Sequence, residues 1–391
     1  MDEEFAARQL ASEYLLRTAV QLDQSPGVTD RNLWADRFTN AAAELYGAPE
    51  SAEAKRLARE DLRKYRSLIG NEAVSQDELS VLINAYESIS DQTDEEQAEL
   101  AVQEKQATEE LEAALIFGQT LRKEYQGLFD LVLAAEKESF TPSDLYDVFS
   151  RAIDWLAENK DPSWSQWAVK MYENKTALSV DVQNREIRCP GKRAAATSKD
   201  VEQLLAHELL GHALRANNGY KTSDEMLGLG LPGSVDAEEG YGKFLEVSLN
   251  GELLEGMHDR YVDVALALGM LDGKQRTRKQ MQEIVQARRI IRAQVKGEFS
   301  VDDLPLLERK SWSYIDRSYR GGPGDELEAR QAIMTKDIAY YVGYKKIARY
   351  ISEQIKSGKS VESILEFMSA GRIDPTIDSH VERLNSASQK A

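Results

Sequence analysis

Hydrophobic residues in the first part of the chain recur at the spacing of helix faces. Leu62, Tyr65 and Ile69 are separated by three or four residues, and Gly70 follows at the position of a left-handed helix C-cap. A second apolar stripe runs through residues 79–86. This periodicity predicts helices rather than strands.

The pattern changes further along the chain. Thr141 followed by Pro142 is typical of a helix start. Residues 176–189 then alternate between apolar and polar side chains around a turn at residues 183–185, which predicts a hairpin of two strands. The spacing becomes helical again at residues 253–270, 281–293, 333–355 and 361–367.

These elements predict an α+β fold that is mostly helical and has a small antiparallel sheet. The change of pattern predicts two domains. The first is a helical, acidic N-terminal region over residues 1–135, and the second covers residues 136–391.

Composition narrows the class of protein. The chain has 391 residues, 42% of them hydrophobic, which is enough to bury a core. Its single cysteine, Cys189, cannot form an internal disulfide, and the sequence begins without the basic and apolar regions of a secretory signal, so we expect a cytoplasmic protein. No apolar run approaches the roughly 18 residues of a membrane span. The net charge of -18 disfavours nucleic acid as a partner.

The acidic residues are concentrated in one segment. Residues 77–112 contain twelve aspartates and glutamates but only one basic residue, Lys105. A charge run of this kind is either a solvated helix face or a docking surface for a partner. The sequence leaves both interpretations open.

Two of the four histidines lie in the segment HELLGH, at residues 207–212. Zinc-binding helices commonly carry HExxH, in which both imidazoles share one face and the glutamate acts as general base. Here the spacing is one residue longer, so on a regular α-helix His207 and His212 would point about 140° apart. A π-type turn would align them, and Gly211 makes that distortion cheap. The alternative is a core helix with a hydrogen bond between Glu208 and His212.

A catalytic zinc site normally has three protein ligands and leaves a position for water. Glu238 and Glu239 lie at the start of a predicted helix, and Glu239 is 27 residues past His212. One of them offers the carboxylate of a two-histidine, one-glutamate site, or both are solvated residues at a helix N-terminus. The other histidines, His258 and His380, each stand alone in the sequence.

Several blocks of residues in a fixed order resemble a known family. They are HELLGH with Leu214, Arg215, Asn218 and Gly219 after it, then EEG at residues 238–240, then YRGG at 319–322 and TKDIAY at 335–340 with Gly343. This order is similar to that of the tyrosine carboxypeptidase-like (microtubule-associated tyrosine carboxypeptidase-like) metalloprotease family, over residues 136–355. The chain departs from the family pattern at Leu210 and Gly211, where the family tends to have Gly and Thr. It also departs at Tyr241 and Gly242, where the family tends to have Leu and Ala.

The resemblance implies a zincin-like core that binds one zinc ion (Zn2+) per chain through His207, His212 and Glu239. It also implies that Glu208 is the catalytic base. The substrate is then the C-terminus of a peptide or protein, from which a tyrosine or another aromatic residue is removed.

The TKDIAY block supplies Tyr340 and Lys336 as candidates for the donor that stabilises negative charge on the carbonyl oxygen in the transition state. An exopeptidase also needs a cation for the free carboxylate of its substrate, and Arg215, Arg320 or Lys336 would serve. The leading prediction is therefore a zinc carboxypeptidase. A zinc endopeptidase of the same fold, and a non-catalytic acidic helical interaction protein, are the alternatives.

Overall fold

The computed structural model describes residues 12–21, 28–87, 94–319 and 331–388 of the protein. Most of these residues are helical, and three short strands form one sheet, so the predicted α+β class is confirmed. The first elements are α1 (12–21), α2 (Val28–Tyr46), α3 (Ser51–Arg66), α4 (Gln76–Tyr86), α5 (Asp94–Glu124), α6 (Gln126–Leu133), α7 (Pro142–Asn159), β1 (Ala168–Tyr172), β2 (Ser179–Asp181) and β3 (Glu186–Pro190).

The later elements are again helical. They are α8 (Ser198–Leu204), a π-helix (Leu205–Ala213), α9 (Leu214–Gly219), α10 (Met226–Leu229), α11 (Val235–Asn250), α12 (Glu255–Ala267), α13 (Arg278–Val295), α14 (Leu304–Ile315), α15 (Ala339–Lys356), α16 (Val361–Ser369) and α17 (Asp378–Ser388). Short 3₁₀ turns lie at Pro162–Gln166, Val301–Asp303 and Lys336–Ile338.

The chain folds as two compact units. The first comprises Met1–Lys105 and Glu255–Ala339, and the second comprises Gln106–Leu254 and Tyr340–Ala391. This division differs from the expected single boundary at residue 135. The first unit joins two distant segments of the chain: α4 packs against α13, which comes about half a chain later. Periodicity describes each segment separately and therefore does not reveal this division. Arg288 of α13 donates a hydrogen bond to the hydroxyl of Tyr86, 202 residues earlier.

The first unit contains a buried network of ion pairs between α12 and α13. Arg288, which is 2% exposed, donates to both carboxylate oxygens of Asp263 at 2.5 and 3.0 Å. Arg292 does the same to Asp259 at 2.6 and 2.9 Å. Both acids and both arginines are four residues apart, so each pair shares one helix face. Burial raises the pKa of Asp259, but the charges of Arg288 and Arg292 outweigh burial and hold that pKa at about 2.

The second unit places its sheet beside the helix that carries the HELLGH segment. Thr141 and Asp144 form a capping box that begins α7, in agreement with the predicted helix start. Helix α7 packs against β1 and β3, while β2 packs against the π-helix. Phe117 of α5 meets Phe244 of α11 edge to face, with ring centroids 5.2 Å apart.

The sheet has the strand order β1-β3-β2 and is mixed, so the prediction of an antiparallel sheet is wrong in part. Strands β2 and β3 form the predicted antiparallel hairpin, in which Val180 is opposite Ile187. Strand β1, which the alternation did not reveal, pairs in parallel with β3 and places Val169 opposite Ile187. Alternation identifies a strand but carries no information on its partner or direction.

Helix α5, with 31 residues, contains much of the acidic segment. Two of its glutamates are paired in the second unit: Glu110 is buried and 2.6 Å from Lys345 Nζ, and Glu109 is 2.6 Å from Lys356 Nζ. Within the parts of the chain that the structure describes, α5 and the other helices all lack the length or the apolar character needed to cross a bilayer.

Candidate metal centre

The HELLGH segment forms a π-helix, in line with one of the two alternatives predicted from its spacing. Thr197 and Asp200 make a capping box that begins α8. The helix then continues as the π-helix Leu205–Ala213 and ends as α9 at Gly219. Because a π-helix bonds residue i to residue i+5, side chains five apart come onto the same face.

The two imidazoles are neighbours as a result. The ring centroids of His207 and His212 lie 4.9 Å apart, with the ring planes at 72°. Each residue is 8% exposed. The longer spacing of HExxxH is thus compatible with a shared metal ion, which a regular α-helix would not allow.

Helix α11 brings a carboxylate to the two rings. The Oε2 atom of Glu239 lies 3.8 Å from Nε2 of His207. One donor atom from each of His207, His212 and Glu239 lies within 4.8 Å of the other two. We call these three residues the histidine–glutamate cluster. Its members are the three residues that the family resemblance implies as metal ligands.

The neighbouring residue, Glu238, forms ion pairs with arginines and is not a member of the cluster. It is 2% exposed, and its two oxygens lie 2.6 Å from Arg215 Nη1 and 2.8 Å from Arg372 Nε. Burial raises the pKa of Glu238, but the charges of Arg215 and Arg372 outweigh burial and bring that pKa to about 2. Two adjacent helix residues point about 100° apart, so Glu239 and Glu238 have different partners. Glu238 is bound by the arginines and lies 3.6 Å from Nδ1 of His212, beyond hydrogen-bond distance.

The surroundings of Arg215 do not fit the substrate-binding role predicted for it. Its side chain is completely buried, and besides Glu238 it donates to the backbone oxygens of Gly371 at 3.0 Å and Ile373 at 2.6 Å. The expectation that Arg215 binds a substrate carboxylate is therefore corrected. A guanidinium that is enclosed and paired with an internal acid has no side left for a ligand.

Glycines allow the helices of the site to approach closely. A Cβ atom placed on Gly211 would lie 3.2 Å from Cα of Gly242, where the π-helix meets α11. A Cβ on Gly240 would lie 2.1 Å from the carbonyl carbon of Gly343, where α11 meets α15. Gly240 belongs to the EEG block and Gly343 follows the TKDIAY block, so residues about 100 positions apart in the sequence meet through backbone contact.

Glu208 is not a member of the histidine–glutamate cluster, but the charged groups around the cluster influence its pKa. Burial raises the pKa of Glu208 to about 7. The neighbouring imidazole of His212 opposes this rise, and the negative charges of Glu239 and Glu246 add to it.

Sequence reasoning missed two residues beside the cluster. Glu246 Oε1 lies 2.6 Å from Nδ1 of His207 and 2.7 Å from Nζ of Lys243. Burial raises the pKa of Glu246, but the hydrogen bond with His207 and the charge of Lys243 bring it below its usual value. A signal for both residues exists in the sequence: Glu239, Lys243 and Glu246 follow i, i+4, i+7 spacing and share one face of α11.

The remaining predicted residues are distributed as follows. Tyr340, at the start of α15, belongs to the second unit, and Lys243 Nζ lies 5.7 Å from its ring centroid. Lys336 is exposed in the first unit, with its Nζ 5.9 Å from the ring centroid of Tyr46. Arg320 lies outside the described residues. The roles predicted for Tyr340, Lys336 and Arg320 stay predictions.

The two isolated histidines have other partners. His258 Nε2 lies 3.0 Å from Asp61 Oδ2 in the first unit. His380 Nδ1 accepts a hydrogen bond from the backbone N–H of Asp374 at 3.1 Å in the second unit. Both histidines therefore have partners apart from the histidine–glutamate cluster.

Comparisons of the chain with protein-family models, with curated proteins and with solved structures found no match. The similarity to tyrosine carboxypeptidase-like metalloproteases therefore rests on the motifs quoted above and stays a prediction. The functional proposal depends on those motifs and on the geometry of the site.

Proposed function

We propose that the protein is a zinc-dependent metallopeptidase. The observation that carries this proposal is the convergence of His207, His212 and Glu239, whose donor atoms lie within 4.8 Å of one another. Two imidazoles and one carboxylate are the protein ligands of several kinds of catalytic zinc site, in which a further position is open to water or substrate.

The surroundings of the cluster are compatible with a metal ion that catalyses hydrolysis. Both imidazoles are nearly buried, while the side chain of Glu239 is 34% exposed, so the cluster reaches solvent on one side. Glu208 supplies a further carboxylate that is not one of the converging donors. The same ligand types also bind iron in oxygenases, but the carboxyl group of Glu208, the residue after His207, favours hydrolysis because it can move the proton of an attacking water.

The protein groups then have defined roles. A bound zinc ion supplies Lewis-acid activation of water and of the scissile carbonyl. Glu208 accepts the proton of the attacking water and delivers it to the amine that leaves. Tyr340, which lies beside Lys243, is the candidate donor to the carbonyl oxygen that gains negative charge.

For the substrate we propose the C-terminus of a peptide or protein, as the motif resemblance implies. Arg320 and Lys336 stay candidates for the cation that binds its carboxylate. The burial of Arg215 removes one of the three cations on which an exopeptidase would depend. This observation favours a zinc endopeptidase as the second candidate.

Two measurements test the proposal. Elemental analysis of protein purified without chelator should find one zinc ion per chain, and His212→Ala should lose it whereas His380→Gln should keep it. Mass spectrometry should then show that peptides with a free C-terminus lose single residues and that amidated peptides do not. Internal cuts would assign the endopeptidase, and protein without zinc would favour the acidic interaction protein.

A further inference from the structure

The imidazole of His207 has a charged partner on each side. Its Nε2 faces Glu239 at 3.8 Å, whereas its Nδ1 lies 2.6 Å from Glu246 Oε1. We propose that Glu246 is a positioning residue that holds His207 in the tautomer with the proton on Nδ1 and a bare Nε2. The proposal rests on the metal site proposed above and adds the group that prepares one ligand for it.

The chemistry of imidazole supports this assignment. A neutral imidazole has one N–H donor and one bare nitrogen acceptor, so the partner of one nitrogen decides the state of the other. A carboxylate accepts hydrogen bonds and cannot donate them. If Glu246 accepts from Nδ1–H of His207, the lone pair of Nε2 points toward Glu239, where a metal ion needs it.

Glu246 is itself held in place. Its side chain is 13% exposed, and Lys243 on the preceding turn of α11 contacts the same Oε1 atom at 2.7 Å. The ammonium group neutralises a carboxylate that would otherwise be costly to bury. Because Lys243 and Glu246 are three residues apart on one helix, the pair is set by α11 alone and does not depend on a loop.

The second imidazole provides an internal comparison. Nδ1 of His212 also faces a carboxylate, that of Glu238, but at 3.6 Å, which is longer than a hydrogen bond. Glu238 is instead bound by Arg215 and Arg372. A change at Glu246 should therefore alter the tautomer of His207 and leave that of His212 as it is.

Nitrogen NMR of the metal-free protein tests the proposal directly. With ¹⁵N-labelled histidine only four side chains give signals, and spectra at about pH 9, above the usual imidazole pKa, distinguish the two tautomers. We expect His207 to carry its proton on Nδ1 in the wild type and to shift toward the Nε2–H form in Glu246→Ala. An Nε2–H form in the wild type, or a tautomer that is unchanged in Glu246→Ala, would overturn the proposal.

The matched control is Glu110→Gln. Glu110 is also a buried carboxylate of the second unit, 2.6 Å from a lysine, but its partner is Lys345. This variant should leave all histidine signals in the wild-type tautomers. If Glu246→Ala does not fold, Glu246→Leu also removes the acceptor but keeps much of the volume of the side chain. His207 should then shift toward the Nε2–H form, and a retained Nδ1–H form would count against the proposal.

Zinc affinity gives the second readout. Loss of a carboxylate partner of a ligating histidine typically weakens metal binding by about 10- to 100-fold, so Glu246→Ala should show a loss in that range and Glu110→Gln should show none. Equal affinities of wild type and Glu246→Ala would contradict the positioning role. A wild type that shows the Nδ1–H tautomer but binds no zinc would instead contradict the proposed function, so the two failures are distinguishable.

Discussion

Gly242 lies directly against the imidazole of His207. A Cβ atom placed on Gly242 would be 2.7 to 2.8 Å from three atoms of the ring, closer than real Cβ contacts. The ring therefore occupies the volume that any other side chain at position 242 would fill.

We expect Gly242→Ala to displace the His207 ring and weaken zinc binding while the chain still folds. Overpacking of this kind costs about 1 to 3 kcal/mol, and 1.4 kcal/mol corresponds to a factor of ten in affinity, so the loss should be about tenfold or more. Competition with a chelator measures it. Gly256→Ala, on a helix position with open space around it, is the control and should bind zinc normally. Unaltered zinc affinity in Gly242→Ala would show that the ring tolerates the methyl group.

Glu208→Gln should retain the fold and the zinc ion but lose most of the peptidase activity. An amide of the same size cannot accept the proton of the attacking water, and the loss of a general base is worth roughly 10² to 10⁴ in rate. Steady-state kinetics with a cleaved peptide measure the effect. Glu202→Gln, on the same helix and paired with Arg122 at 2.6 Å, should keep normal turnover. The assignment fails if Glu208→Gln is fully active or loses its zinc.

Arg215→Met should destabilise the protein strongly. It leaves Glu238 with one cation fewer and removes the donor to two backbone oxygens, and breaking a buried ion pair costs about 3 to 5 kcal/mol. Urea denaturation measures the free energy of unfolding. Arg383→Met removes a more exposed ion pair with Asp224 and should cost about 1 kcal/mol or less. A stable Arg215→Met protein with a raised KM would restore the substrate-binding role.

The ion pairs of the first unit should make its stability sensitive to acid. The pKa of Asp259 is about 2, below the value of about 3.9 for an unfolded aspartate. A lowered pKa contributes stability that is present above the unfolded value and is lost as the pH falls through the folded value. We expect the unfolding free energy to decline between about pH 5 and pH 2, and to decline less in Asp259→Asn. Parallel pH profiles of the two proteins would contradict this account.

Features that depend only on neighbouring residues could be predicted from the sequence. The helix start at Thr141 and Pro142 was predicted from adjacent residues, and α7 begins there with a capping box between Thr141 and Asp144. The HELLGH spacing posed a choice between a π-type turn and a regular core helix. The π-helix forms where Gly211 packs against Gly242 of another helix, a contact between distant residues that the spacing alone does not reveal.

By itself, then, the sequence determined the residue types of the candidate centre, the helical elements that carry most of them, and the hairpin of β2 and β3. Tertiary structure alone decided that Glu239 joins the histidines while Glu238 is bound by arginines, and that β1 lies parallel to β3. It also enclosed Arg215 with backbone oxygens 156 and 158 residues away. The physical reason is that capping and helical periodicity act over a few residues. Burial and charge pairing depend on which distant segment supplies the partner.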